Sequence, residues 1–245
     1  MRREESDNAE SDGPMSAHSP TETARETAGL LMDIEAVLFR PEDPFIFTSG
    51  RASPVYVDCR KIISFPAVRG RLMDLAVELI ADKIGRDQIE VVAGGETAGI
   101  PFAAWIAERL DRPMVYIRKK PKGFGRNAQI EGSFGEGAKV LLVEDLATDG
   151  GSKLNFVEAV RAAGGEIGHC FVIFHYGIFP QSLADLAARG VSLHGLATWH
   201  DALAVAESRG YLTAEGIAEV RAFLDDPESW SASHGGKTSA EISSA

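Results

Sequence analysis

The 245-residue sequence predicts an α/β protein built on a doubly wound, mostly parallel sheet, and three observations carry that expectation. From residue 89 onward, short runs rich in Val, Ile and Phe alternate with stretches of helical periodicity, the pattern of βαβ units. The run Val140-Leu-Leu-Val143 is apolar at every position, as suits a strand covered by helices on both faces. At 92–101 and again at 140–152, an apolar run passes through a Gly-containing turn directly into a helical segment. Such strand–turn–helix junctions at the carboxyl ends of strands are where open α/β sheets bind ligands.

The elements follow in order. Residues 1–29 are rich in Ser, Glu, Asp, Thr and Ala without periodicity and read as a disordered acidic tail. Over 30–40, Leu30, Leu31, Ile34, Val37 and Leu38 share one helical face, and Pro41 and Pro44 end the segment. Two β-type runs, 45–48 and 54–57, are joined through Ser49-Gly50-Arg51, which predicts a hairpin at the rim of the domain. A helix is expected over 66–84. The alternating part then reads strand 89–93, helix 100–110, strands 114–117 and 139–143, helix 153–163, and strands 167–174 and 192–198. Helices near 201–207 and 213–224 close a domain spanning 30–226, and the Ser/Gly/Ala-rich stretch 227–245 is expected to be a flexible tail.

Composition removes several classes of function. A formal net charge of -11 disfavours general binding to nucleic acid or to an anionic membrane. Cys59 and Cys170 lie far apart with no CxxC partner, so neither a disulfide framework nor a zinc site is expected, and a reducing cytoplasmic setting fits. No run approaches the roughly 20 apolar residues that span a bilayer. The charged N-terminus has no apolar core of a secretory signal.

The segment Val140-Leu-Leu-Val-Glu-Asp-Leu-Ala-Thr-Asp-Gly-Gly-Ser152 carries the most chemistry. A helix N-terminus with Thr148, Gly150, Gly151 and Ser152 before it can cradle a phosphate with backbone N–H groups and hydroxyls. Glu144 and Asp145 would repel that phosphate, so they read either as solvated acids at a strand end or as groups facing a diol or a metal ion. Alternation along the strand sends them to opposite sides. The segment resembles the phosphoribosyl-pyrophosphate (PRPP) motif of type I phosphoribosyltransferases. That resemblance implies the type I phosphoribosyltransferase fold, with Glu144 and Asp145 on the ribose hydroxyls. It also puts Leu146, Ala147, Thr148, Asp149, Gly150, Gly151 and Ser152 around the 5′-phosphate.

Arg118-Lys-Lys-Pro-Lys-Gly-Phe-Gly-Arg126 sets five basic residues within nine positions of an acidic chain. On a loop punctuated by Pro and Gly, this is either a solvated charge run, a nucleic-acid patch, or a lid that neutralises a polyanionic leaving group. Phe124 alone gives little base stacking, which weighs against nucleic acid. The loop resembles the catalytic loop of orotate phosphoribosyltransferases, which implies that Arg118, Lys119 and Lys122 cover pyrophosphate. Phe124 stands where that family usually has His. The junction Val92-Ala-Gly-Gly-Glu-Thr-Ala-Gly-Ile-Pro101 is, on its residues, a tightly packed βα turn; in the resembled family it is the pyrophosphate loop, which implies PRPP contacts for Glu96 and Thr97. Ala98 occupies a position where Lys is frequent. Phe47-Thr-Ser-Gly-Arg-Ala-Ser-Pro-Val-Tyr-Val57 is similar to the family's hood over the base, near 45–60, and implies orotate contacts for Ser49, Tyr56 and also Thr148. Thr48, and His175-Tyr176, fall where Lys and Arg are common.

The resemblance therefore implies an enzyme, an orotate phosphoribosyltransferase that converts orotate and PRPP into orotidine 5′-monophosphate and pyrophosphate in pyrimidine biosynthesis. Its catalytic residues would be Lys122, Glu144 and Asp145. Mg2+ would be the cofactor, held mainly through PRPP with no metal ligand supplied directly by the protein. The resemblance also implies a homodimer whose basic loop 118–132 is shared across subunits. Two other readings stay open from sequence: a phosphoribosyltransferase for another nucleobase, and a non-catalytic PRPP-binding regulator. The regulator would need a DNA-binding appendage, and the first 29 residues show neither a helix-turn-helix pattern nor a basic stripe.

Overall fold

A computed structural model of the chain describes residues 21–122, 129–148 and 151–243. Its centre is a six-stranded sheet in the order β10-β9-β8-β5-β6-β7: Ser192–Thr198, Glu166–His175, Lys139–Ala147, Val91–Gly95, Met114–Ile117 and Ile130–Glu131. All neighbours pair in parallel except β6 and β7, where a two-residue antiparallel strand closes the edge. Successive residues of the central strands feed opposite cores. Val92, Leu141, Val143, Phe171 and Ile173 join one apolar cluster, while Val91, Ala93, Leu142, Cys170 and Val172 join the other. That alternation, at positions apolar on both sides, is the doubly wound arrangement.

From β5 the chain runs through α3 (Gly99–Leu110) outward to β6, whereas from β8 it runs through α4 (Gly151–Ala162) to β9 on the other side. The winding direction thus reverses between β5 and β8. Their carboxyl ends form the crevice where ligands of such sheets sit.

Several expected boundaries are corrected. The helix placed at 30–40 is α1, Glu22–Asp33, with Thr21 as its N-cap accepting from Ala24 N at 3.2 Å. Residues 22–29 therefore belong to the domain rather than to an acidic tail, and Ala24, Thr27 and Ala28 are buried. Val37 and Leu38 are not helical. They lie in β1 (Val37–Phe39), which pairs antiparallel with β4 (Val55–Val57). The rim hairpin instead joins β2 (Phe45–Ile46) to β3 (Ala52–Ser53). A 3-10 segment, Cys59–Ser64, leads into α2, Pro66–Lys83. Between β9 and β10 an unexpected helix, α5 (Pro180–Ala187), begins on Pro180, a residue pre-set for a first helical turn.

After α6 (Trp199–Ser208) and α7 (Ala214–Asp225), the stretch 227–243 is structured, against the expectation of a flexible tail. Asp226 caps α8 (Pro227–Ser233), and Trp230, 5% exposed, packs edge-on against Phe223 at 5.4 Å. One buried indole anchors a segment whose composition otherwise suggests looseness. A last short helix, α9, spans Ser239–Ser243. No helix among the described residues is long and apolar enough to cross a membrane.

Candidate active site

Two connected cavities open at the carboxyl ends of β5 and β8. The smaller, about 220 Å3, is walled by Glu96, Thr97 and Ala98 from the β5 turn, Glu144 and Asp145 from β8, Lys119, Lys153 and Arg60. The larger, about 850 Å3, lies under the rim hairpin between Phe45, Phe47, Ser49 and Tyr56 on one side and Asp145, Leu146 and Tyr176 on the other. Arg60, Asp145, Leu146 and Thr148 line both.

β8 runs four residues past the apolar tract, because its ladder with β9 continues through Leu146↔Phe174 and Ala147↔His175. The acids are therefore fixed on a strand and not on a loop. Glu144, 8% exposed, turns into a niche against the backbone of Gly95 and Gly99 and the Phe156 ring. A methyl group on Gly95 would meet the Glu144 carboxylate carbon at 2.7 Å, which is why only glycine fits there. Lys153 Nζ stands 4.0 Å from Glu144 and donates to the Leu146 carbonyl at 2.7 Å, so this buried ammonium holds both the acid and the chain entering the turn. Asp145 points the other way, toward Arg60 at 3.7 Å.

Burial pushes the Glu144 carboxyl up to about 7, against the opposing pull of Lys153; burial also raises Asp145, with Arg60 pulling it down. A folded value above the ordinary 4.5 means that Glu144 contributes stability that is fully present below that ordinary value and lost as pH rises through about 7. The loss is on the order of 3 kcal/mol in the ligand-free protein. Thermal melts should show the midpoint of the wild type falling relative to Glu144→Gln between those pH values; a constant difference would contradict the account.

The β5 turn brings Glu96 and Thr97 to the smaller cavity, with the peptide bond between them cis. Glu96 accepts from Lys119 N at 2.7 Å, tying the start of the basic loop to this turn. The expected basic trio is divided. Lys119 lines the smaller cavity, whereas Arg118 and Lys122 both turn to Glu131, at 3.5 and 2.5 Å. Phe124 and Arg126 lie outside the described residues, as do Asp149 and Gly150 of the turn. Gly151 and Ser152 begin α4. Leu146 and Thr148 line the cavities, but Ala147 is fully buried, its carbonyl accepting from Tyr176 N at 2.8 Å, and its side chain faces the core.

Ser49 and Tyr56 both line the larger cavity, Tyr56 with its ring 5.5 Å from Phe45 and 6.2 Å from Phe47. His175 is buried, while Tyr176 reaches the cavity and stacks on Phe179 at 6.3 Å. Arg60, Lys153 and Tyr176 had no assigned role in the sequence. The one available signal was a Lys standing directly after the Gly-Gly-Ser turn, inside an otherwise apolar-periodic segment.

The arrangement sets two carboxylates beside basic groups and a strand–turn–helix junction, next to an aromatic-walled chamber. It suits a ligand with a hydroxyl-bearing sugar, anionic groups and a planar co-substrate. The phosphoribosyl transferase domain family matches residues 62–179. An orotate phosphoribosyltransferase from Dinoroseobacter shibae is 55% identical over 221 residues, covering 90% of this chain and 98% of the relative. Among solved structures, orotate phosphoribosyltransferase from Aeropyrum pernix is similar with a TM-score of 0.64 and 32% identity, over 76% of this chain and 99% of the other. The Mycobacterium tuberculosis orotate phosphoribosyltransferase in complex with PRPP is similar with a TM-score of 0.57 and 27% identity, over 74% and 98%.

Proposed function

This chain belongs to the orotate phosphoribosyltransferases, and from that premise we propose how its two cavities divide the reaction: PRPP in the smaller, orotate in the larger. The enzyme transfers the phosphoribosyl group of PRPP to orotate, giving orotidine 5′-monophosphate and pyrophosphate, a step toward pyrimidine nucleotides. The bond from the anomeric carbon to pyrophosphate breaks, one from a ring nitrogen of orotate forms, and the proton of that nitrogen leaves to water or to the departing pyrophosphate. The observation that carries the assignment is Asp145, the one carboxylate lining both cavities among the described residues.

In this reading Glu144 and Asp145 hold the ribose hydroxyls, and Asp145 stabilises positive charge that develops at the anomeric carbon. Glu96, Thr97 and Lys119 meet the pyrophosphate side. Leu146, Thr148, Asp149, Gly150, Gly151 and Ser152 wrap the 5′-phosphate. Arg118 and Lys122 balance the departing charge. Tyr56, Ser49 and Thr148 hold orotate, whose planar ring suits the aromatic wall of Phe45, Phe47 and Tyr56.

The hard oxygen donors of Glu144 and Asp145 fit Mg2+, and no cluster of three or more metal-binding side chains occurs among the described residues. Both acids would reach the ion's water shell while PRPP supplies most ligands. When bound, Mg2+ neutralises phosphate charge. Lys119 lines this chain's own smaller cavity while Arg118 and Lys122 turn to Glu131, a division consistent with a homodimer in which the basic loop 118–132 is shared across subunits. The two free buried thiols support a reducing, cytoplasmic setting.

The test is a base panel: orotate, adenine and hypoxanthine, each with PRPP and Mg2+, and the products identified by mass. Orotidine 5′-monophosphate alone is expected. A purine nucleotide as the main product would overturn the assignment of the larger cavity.

A further inference from the structure

The rim hairpin has little to hold it in place by itself, since β2 and β3 pair over only two residues each. A ladder that short is marginal in water and needs support from outside. That support comes from the C-terminal segment. Ser231 on α8 is fully buried, and its hydroxyl uses both capacities: Oγ accepts from Ala52 N at 3.0 Å and donates to the Lys237 carbonyl at 2.9 Å. Lys237 N in turn donates to the Gly50 carbonyl at 2.8 Å. Glu228 accepts from Arg51 at 2.8 Å. At Gly236 a methyl group would stand 2.6 Å from the Ala52 Cβ, so the strap and hairpin backbones touch directly.

These contacts lead to the larger cavity. The Arg51 guanidinium sits 4.9 Å over the Phe179 ring, Phe179 stacks on Tyr176, and Tyr176 lines the cavity. An adjoining chamber of about 430 Å3 has Ile242 of α9 facing Phe47, Ser49, Thr148 and Tyr176.

We propose that residues 227–243 are a strap that fixes the hairpin over the base cavity, with Ser231 and Glu228 as positioning residues for orotate. Neither touches the reacting atoms; each acts through the hairpin backbone or through Arg51. The proposal rests on the reading that the larger cavity takes the base. It makes base affinity depend on a segment remote in sequence from every motif of the PRPP site.

The test is steady-state kinetics on the full-length enzyme, with orotate and PRPP varied separately, for Ser231→Ala and Glu228→Gln. Ser231→Ala strands the Ala52 N–H, and the orotate KM should rise about tenfold. Glu228→Gln keeps an acceptor but removes the charge, and a rise of about threefold is expected. The PRPP KM and kcat should stay within about twofold for both, a split that a general loss of structure does not produce. If Ser231→Ala does not fold, Glu228→Gln decides, since its side chain is 40% exposed and tolerates the change. An unchanged orotate KM in the folded variants overturns the strap, as do equal rises in both KM values. Tyr56→Ala is run in parallel. If it leaves the orotate KM unchanged, the cavity reading falls; if it raises that KM while the strap variants do not, the strap falls alone.

Discussion

Asp145→Asn is expected to lower kcat about 100- to 1000-fold, the usual cost of removing a group aimed at charge that develops in the transition state. Breaking the bond to pyrophosphate leaves positive character on the ribose, and Asp145 is held on a strand where it lines both the smaller and the larger cavity. The isosteric amide keeps the shape and a hydrogen-bonding oxygen but loses the charge. The fold should survive, because the partner Arg60 is 67% exposed and such a pair contributes about 0–1 kcal/mol. Burial also already disfavours the ionised form, so its loss relieves a cost. Orotate-consumption kinetics together with thermal melts check this. A kcat within a few-fold of wild type, at a normal melting midpoint, would remove Asp145 from the chemistry.

Lys122→Ala is expected to reduce kcat by a similar factor, about 100-fold or more, through loss of charge neutralisation on the leaving pyrophosphate. Here Lys122 is paired with Glu131, its side chain is 46% exposed, and it precedes the Gly-Phe-Gly of the basic loop. An exposed pair of this kind is weak and screened by salt, so it offers little resistance to the lysine moving onto an anionic ligand. Glu131 is held below the usual carboxylate range chiefly by its hydrogen bond with Lys122, then by the nearby charges of Lys122 and Arg118. The PRPP KM should change far less than kcat, since the interaction grows as pyrophosphate departs. Near-normal turnover would show that the loop cations do not serve the leaving group.

What was legible in the sequence follows from how local each signal is. β5, β6, β8 and β9 could be read because buried parallel strands carry unbroken apolar runs between turns, whereas β10, an edge strand interrupted by His194 and Gly195, shows only as a short mixed run after a turn. The hairpin register could not: Ala52–Ser53 and Val55–Val57 are equally plausible partners for Phe45–Ile46, and only docking of Val55–Val57 onto β1 decides between them. α1 begins at Glu22 because Thr21 caps it, but Glu-Thr-Ala-Arg-Glu-Thr has no apolar stripe to reveal it. The strap was hidden by its Ser, Gly and Ala content, although Asp226-Pro227 is a capping pair and Trp230 an anchor.

The site divides in the same way. Glu144, Asp145, Thr148, Glu96 and Thr97 belong to contiguous junctions, and the fold brings them to one crevice. Lys153 and Arg60 gain their places only through tertiary packing, Lys153 by sinking beneath the turn and Arg60 by arriving on the segment after β4. Arg118 and Lys122 could be recognised as a basic loop, but their pairing with Glu131 depends on the antiparallel return of β7.

The proposed crevice joins a PRPP niche built on Glu144 and Asp145 to an orotate chamber under the hairpin. The orotate arm of the base panel, followed by ultraviolet absorbance with PRPP and Mg2+ each left out in turn, tests it most directly. Orotate absorbance should decline only when both are present, with pyrophosphate formed in equal amount. Undiminished orotate in the complete mixture, or its loss without PRPP, would contradict the proposal.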